Sequence, residues 1–143
     1  MKDIVINKIQ SIQRCVRRAR EEYQADREGF ATNFTRQDAA MLNVVRACET
    51  AIDLANYVIR AYKLGIPVSS ADSFKLLQAE RIIDARLADR MEKMVGFRNT
   101  VVHQYTKVDI RIVEAVIVSE LDELLAFADK VREYINGTAP QLP

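Results

Sequence analysis

The chain has one histidine, no tryptophan, two cysteines, three prolines and four glycines in 143 residues. Each scarcity excludes something. One histidine and no CxxC leave no ligand set of the usual zinc type, so no metal and no cofactor are expected. Cys15 and Cys48 fall inside helical patterns rather than in a paired framework, which fits a reducing, cytoplasmic setting. No stretch alternates with a period of two, so strands are not expected. No run approaches the roughly 20 apolar residues of a membrane span. The first eight residues, MKDIVINK, are too interrupted by charge for a signal peptide. The formal net charge is only +1, so the chain as a whole is no polyanion binder, and contact with nucleic acid must come from local basic patches.

What is present is helical periodicity. Apolar residues make up 49% of the chain, enough for one sizeable core. The fold class expected is all-α: an antiparallel bundle of four long helices and one short one, in a single domain over 1–136 with a frayed tail at 137–143. The first helix spans Asp3 to Asp26, with Val5, Ile9, Ile12, Val16, Ala19 and Tyr23 facing inward and Lys8, Arg14, Arg17, Arg18 and Arg20 outward. A loop follows from Gly29 to Asn33. The second helix starts near Thr35, where Thr35 and Asp38 form a variant capping box, and runs to Leu64, where Gly65 and Pro67 stop it. Met41, Val44, Cys48, Ala51, Ala55, Val58 and Tyr62 form its buried stripe; Arg46, Glu49, Asp53, Asn56 and Arg60 share the opposite face. A short helix spans Ser73 to Ile83. The fourth runs from Ala85 to Tyr105 or just beyond, and Asp109 caps a fifth that continues to Ile135. Surplus apolar residues, including Ile112, Val116 and Leu125, suit a subunit interface.

The fourth helix breaks its own pattern. Leu87, Met91, Met94, Arg98, Val101, Tyr105 and Val108 recur at alternating spacings of four and three, so an arginine and a tyrosine stand in an apolar seam. Buried unpaired, a charge there costs several kcal/mol, on the order of 3–5. Arg98 therefore pairs with a carboxylate such as Glu49 or Asp53, or it faces a cleft. The only histidine, His103, follows five residues later. Near a helix C-terminus a protonated imidazole is favoured, and imidazole exchanges protons near neutral pH. Arg98 offers a forked donor set suited to phosphate. Arginine and histidine without a nucleophilic Ser or Cys fit RNA cleavage, in which the substrate supplies its own 2′-hydroxyl. On a straight helix the two side chains point roughly 140° apart. Either the helix loosens near His103 or two copies of the chain face each other across the site. The second option uses the surplus apolar surface and is the one expected.

Arg98-x4-His103 resembles the R-x4-6-H signature of HEPN domains, and Gln104-Tyr105 extends it to R-x4-H-x-Y. That longer form is similar to the HepT branch, toxins paired with a minimal nucleotidyltransferase (MNT) antitoxin. The segments DIVINKIQSIQR, LNVVRACETAIDLAN, LGIPVSSADSF and MVGFRNTVVHQY also resemble family segments in family order. The resemblance implies a HEPN bundle that forms a homodimer with both motifs lining the intersubunit cleft. It implies a metal-independent endoribonuclease in which Arg98 holds the scissile phosphate and His103 acts on the 2′-hydroxyl or the leaving oxygen, leaving a 2′,3′-cyclic phosphate. It implies that the antitoxin binds the toxin or transfers AMP to Tyr105. Asn99 is implied to orient His103, with Arg46, Glu49 and Asp53 as a supporting polar row. The competing expectation is a non-catalytic HEPN module that binds nucleotide or substrate for a partner nucleotidyltransferase.

Overall fold

The computed structural model describes residues 2–140; Met1 and residues 141–143, the end of the expected frayed tail, lie outside the described residues. The described chain is helical throughout, with α1 at Lys2–Ala25, α2 at Phe34–Tyr62, α3 at Ser70–Ala79, α4 at Ala85–His103, α5 at Ile110–Ser119 and α6 at Leu121–Gly137. No strand occurs among these residues.

The first two helices form an antiparallel hairpin. Arg36 near the start of α2 donates to Glu22 near the end of α1 at 3.0 Å. The connection is more than a loop. It holds a 3₁₀ turn, Phe30–Thr32, and Phe30 is fully buried with its ring edge-on to Tyr23. The buried Gln37 amide donates to the Phe30 carbonyl at 2.7 Å, so the turn is held by side chain and backbone together.

Helix ends differ from the expected ones for identifiable reasons. Asn33, not Thr35, caps α2, because its side chain accepts the Arg36 N–H. The helix stops at Tyr62. Lys63 takes the left-handed conformation (φ 53°), with the Leu64 N–H bonded to the Ile59 carbonyl and the Lys63 N–H to the Arg60 carbonyl. This is a Schellman ending with lysine where glycine is usual. The same arrangement ends α3: Arg81 is left-handed (φ 60°), and Ile82 N–H reaches the Leu77 carbonyl. The short helix thus ends before Ile82 and Ile83, which still enter the core, and it begins earlier than expected because Ser69 caps it. The fifth helix of the sequence reading is two helices. The chain bends at Glu120, after a stretch in which Ile110, Ile112, Val113, Val116, Ile117 and Val118 are all β-branched and lower helix propensity.

The core is continuous. The inward residues expected for α1 and α2 are buried, except for a partly buried Tyr23. Phe74 of α3 meets Phe127 of α6 edge-on at 5.3 Å. Tyr62 closes the far end, its hydroxyl donating to the Thr138 carbonyl at 2.7 Å. No buried side-chain N or O among the described residues lacks a partner. That core positions α2 and α4 side by side.

Phe30→Ala is expected to lower the unfolding free energy by about 3–5 kcal/mol, the cost of deleting a fully buried ring. Equilibrium urea unfolding checks this; a loss under about 1 kcal/mol would restore the plain-loop description.

Candidate active site

Helices α2 and α4 run antiparallel, and two side-chain contacts set their register. Toward the middle of α2, Glu49 accepts from both Nε and Nη2 of Arg98 on one carboxylate oxygen, at 3.2 and 3.1 Å. Three turns nearer the start of α2, Asp38 accepts a hydrogen bond from the Tyr105 hydroxyl. Arg98 therefore does not sit buried and unpaired in the seam; it is 29% exposed and paired. Its Nη1 also donates to Asn99 Oδ1 at 3.0 Å. Three of the five guanidinium donors are thus committed, and two remain for a ligand.

Helix α4 ends at His103, earlier than expected. Gln104 leaves the helix (φ −137°, ψ 42°), and Tyr105 begins a 3₁₀ turn, Tyr105–Lys107. Tyr105 therefore does not share a helical face with Arg98. It reaches Asp38 because the chain turns out of the helix and back toward α2. His103 is exposed, in the last helical turn, and its imidazole makes no hydrogen bond or ion pair with any described residue. Asn99 accepts from Arg98 and makes no side-chain hydrogen bond to His103. Glu49 joins the cluster. Arg46 and Asp53 are exposed on α2 and their side chains have no partner among the described residues.

Asp38 is the residue the sequence reading placed elsewhere, in the α2 cap. Its partner is 67 positions away, and no local pattern announces such a pair. The hydrogen bond to the Asp38 carboxylate, with some desolvation and the adjacent negative charge, pushes the Tyr105 phenol up to about 12. Burial, reinforced by the neighbouring Glu49 carboxylate, pushes the Cys48 thiol up to about 12. The only cysteine beside the cluster is therefore protonated and inert as a nucleophile at neutral pH. No group of three or more His, Cys, Asp or Glu side chains among the described residues is placed to hold a metal ion. No described helix is long and apolar enough to cross a membrane.

Between the two α2–α4 contacts two large apolar side chains are exposed. Leu42 lies between Asp38 and Glu49, and Val102 between Arg98 and Tyr105; they are 50% and 46% exposed. A second apolar area, a groove of about 390 Å³ lined by Met94, Phe97, Val108, Ile112 and Val116, opens between α4 and α5 on the side away from Arg98.

A helical bundle carrying a clamped arginine and an exposed histidine at the end of one helix, followed by a tethered tyrosine, defines a HEPN-type domain. The chain belongs to the ribonuclease HepT-like family, whose model matches residues 12–131. It is 43% identical over 132 residues to the mRNA nuclease HepT of Shewanella oneidensis, covering 92% of this chain and 98% of that one. Among solved structures it resembles a tri-AMPylated Shewanella oneidensis HEPN toxin in complex with an MNT antitoxin, with TM-score 0.87 and 42% identity over 93% of this chain and 99% of that one. The Bacillus subtilis cytosolic protein YutE shares the fold, with TM-score 0.82 at 18% identity over 95% of this chain and 91% of that one.

Asp38→Asn replaces the carboxylate with a weaker, neutral amide acceptor and removes the charge that opposes the phenolate. The Tyr105 titration is therefore expected to fall from about 12 toward the ordinary tyrosine value of about 10. Ultraviolet pH titration, with the Tyr105→Phe spectrum subtracted, measures it; an unchanged midpoint would show that Asp38 does not hold the hydroxyl.

Proposed function

We propose that this chain is the toxin of a toxin–antitoxin pair, an endoribonuclease acting on cellular RNA without a metal ion, and that an MNT-type nucleotidyltransferase neutralises it by complex formation, by AMP transfer to Tyr105, or by both. The observation that carries the reading is the Arg98–His103 arrangement. A guanidinium is held by Glu49 and Asn99 with two donors to spare, about one and a half helical turns from a partnerless imidazole at the exposed helix end. The family match and the Shewanella oneidensis relatives support the same reading.

The chemistry follows from the donor set. Arg98 engages a non-bridging phosphate oxygen and stabilises the charge that develops on phosphorus. His103 removes the proton of the neighbouring ribose 2′-hydroxyl, whose oxygen attacks phosphorus and closes a 2′,3′-cyclic phosphate. The departing 5′-oxygen needs a proton. A second copy related by a twofold axis supplies a second imidazole, so one histidine acts as base and the other as acid. The exposed Leu42 and Val102 lie inside the bracketed face and suit a homodimer contact running through the site. The cytoplasm is the compartment proposed, in keeping with two free, buried cysteines.

The test is cleavage of total RNA by purified, folded protein in excess EDTA, with Tyr105 checked by mass for bound nucleotide. Wild type is expected to give discrete fragments ending in cyclic phosphate, and His103→Ala and Arg98→Ala each to lose at least about 100-fold in rate. Binding of RNA without cleavage by the unmodified wild type would instead establish a non-catalytic binding module.

A further inference from the structure

We propose that Asp38 is the positioning residue and proton acceptor for nucleotide transfer to Tyr105. This rests on the reading of Tyr105 as the AMP acceptor and adds what makes that hydroxyl reactive. The two residues come from different elements, α2 and the 3₁₀ turn after α4, and meet through the phenolic oxygen itself. The turn is polar and open: Tyr105 is 46% exposed and residues 103–107 are all exposed. In such a segment a phenol on an untethered turn samples many orientations. The Asp38 bond fixes one of them and leaves the other oxygen lone pair facing solvent, where a nucleoside triphosphate can approach.

The transfer step balances with the groups present and one named co-reactant, ATP delivered by the nucleotidyltransferase. The Tyr105 oxygen attacks the α-phosphorus and forms the O–P bond. The bond from the α-phosphorus to the bridging oxygen breaks, and pyrophosphate leaves with that electron pair. The phenolic proton passes along the existing hydrogen bond to the Asp38 carboxylate. At neutral pH a phenol titrating near 12 holds its proton, so the proton must move as the O–P bond forms rather than before it. A carboxylate already in contact meets that requirement. The other charged groups around the turn are poor candidates. Lys107 is cationic, Arg98 and Glu49 occupy each other, and Arg46 is a cation further along α2. His103 lies at the helix end and makes no hydrogen bond or ring contact with Tyr105.

A consequence follows for the product. Once the oxygen carries a phosphodiester it has no proton to donate, and the Asp38 carboxylate then faces a like charge. The modified turn must move off α2, carrying the nucleotide outward.

The experiment uses the full chain with its cognate MNT-type nucleotidyltransferase, Mg²⁺ and ATP, following AMP addition by intact mass from about pH 6.5 to 9.5. Wild type, Asp38→Asn, Asp38→Glu and Tyr105→Phe are compared, and thermal melts confirm that all four are folded. Wild type is expected to react at a rate nearly independent of pH. Asp38→Asn is expected to be slower by at least about 100-fold at pH 7, the deficit shrinking as pH rises and phenolate forms unaided. Asp38→Glu should recover part of the rate. A rate for Asp38→Asn within about threefold of wild type, or a large deficit constant across pH, overturns the role of Asp38. Absence of modification on wild type, or its persistence in Tyr105→Phe, overturns the acceptor reading and the Asp38 role with it.

Discussion

The pairing of Arg98 with Glu49 is the constraint on which the site depends. It joins the two helices at the one place where a charge interrupts an apolar seam. Its worth in stability is small: both side chains are partly exposed, at 29% and 45%, and such pairs contribute about 0.2–1 kcal/mol. The fold is held by the buried stripes of all six helices, not by this bond. What the pair supplies is direction. Two donors of the guanidinium meet one carboxylate oxygen and a third meets Asn99, so the rotational freedom of a long side chain is removed before any ligand arrives. The cost is electrostatic, because Glu49 offsets the charge that a phosphate would otherwise meet in full. A rigid, partly neutralised arginine suits an enzyme that must grip a phosphate briefly and release the product.

Termination of α4 is the second organising event. The helix could continue by its apolar pattern, yet it stops at His103, and the chain turns so that Tyr105 meets α2. A continued helix would have stacked Tyr105 two turns above Arg98 and left Asp38 without its partner. The turn separates the side chains to which the proposed functions fall, all within eight residues. Arg98 and His103 stay on the helix, where rigid backbone fixes them. Tyr105 moves to an exposed turn, where a second protein can reach it.

Much of this was legible in the sequence. A 3.6-residue apolar period with little glycine or proline leaves few alternatives to a helical bundle, and the stripes of α1 and α2 are buried as their spacing implies. Arg98 was conspicuous for the opposite reason, a charge where the period demands an apolar residue. Two of the misplaced boundaries, the ends of α2 and α3, share a cause. Lys63 and Arg81 adopt the left-handed conformation that sequence rules reserve for glycine, so the helices end where no local signal stands. The bend at Glu120 was hidden because the apolar stripe runs through it unbroken on both sides. Phe30 sits among polar residues and glycine, and only the tertiary fold shows that the hairpin closes over it. Asp38 was invisible as a site residue because a carboxylate near a helix start already has a local explanation. Its contact with Tyr105 depends on the antiparallel register of α2 and α4, which no window of sequence contains.

The charge balance explains why a nucleotide on Tyr105 would silence such an enzyme. With 21 basic and 20 acidic side chains, the chain has almost no net field with which to attract RNA. Near the site the cations are few: Arg98, already offset by Glu49, and Arg46 and Lys107, which have no ion-pair partner among the described residues. Each phosphodiester added at Tyr105 brings one full negative charge to the turn beside this group, and charges act over a Debye length of about 8–10 Å. One added nucleotide therefore cancels a large fraction of the local attraction, and further ones reverse its sign. A strongly basic ribonuclease would need many more charges to be switched off in this way. On the proposed roles of Arg98 and Tyr105, near-neutral composition and a single clamped arginine belong together: phosphate recognition that is weak from the start is what a small anionic modification can abolish.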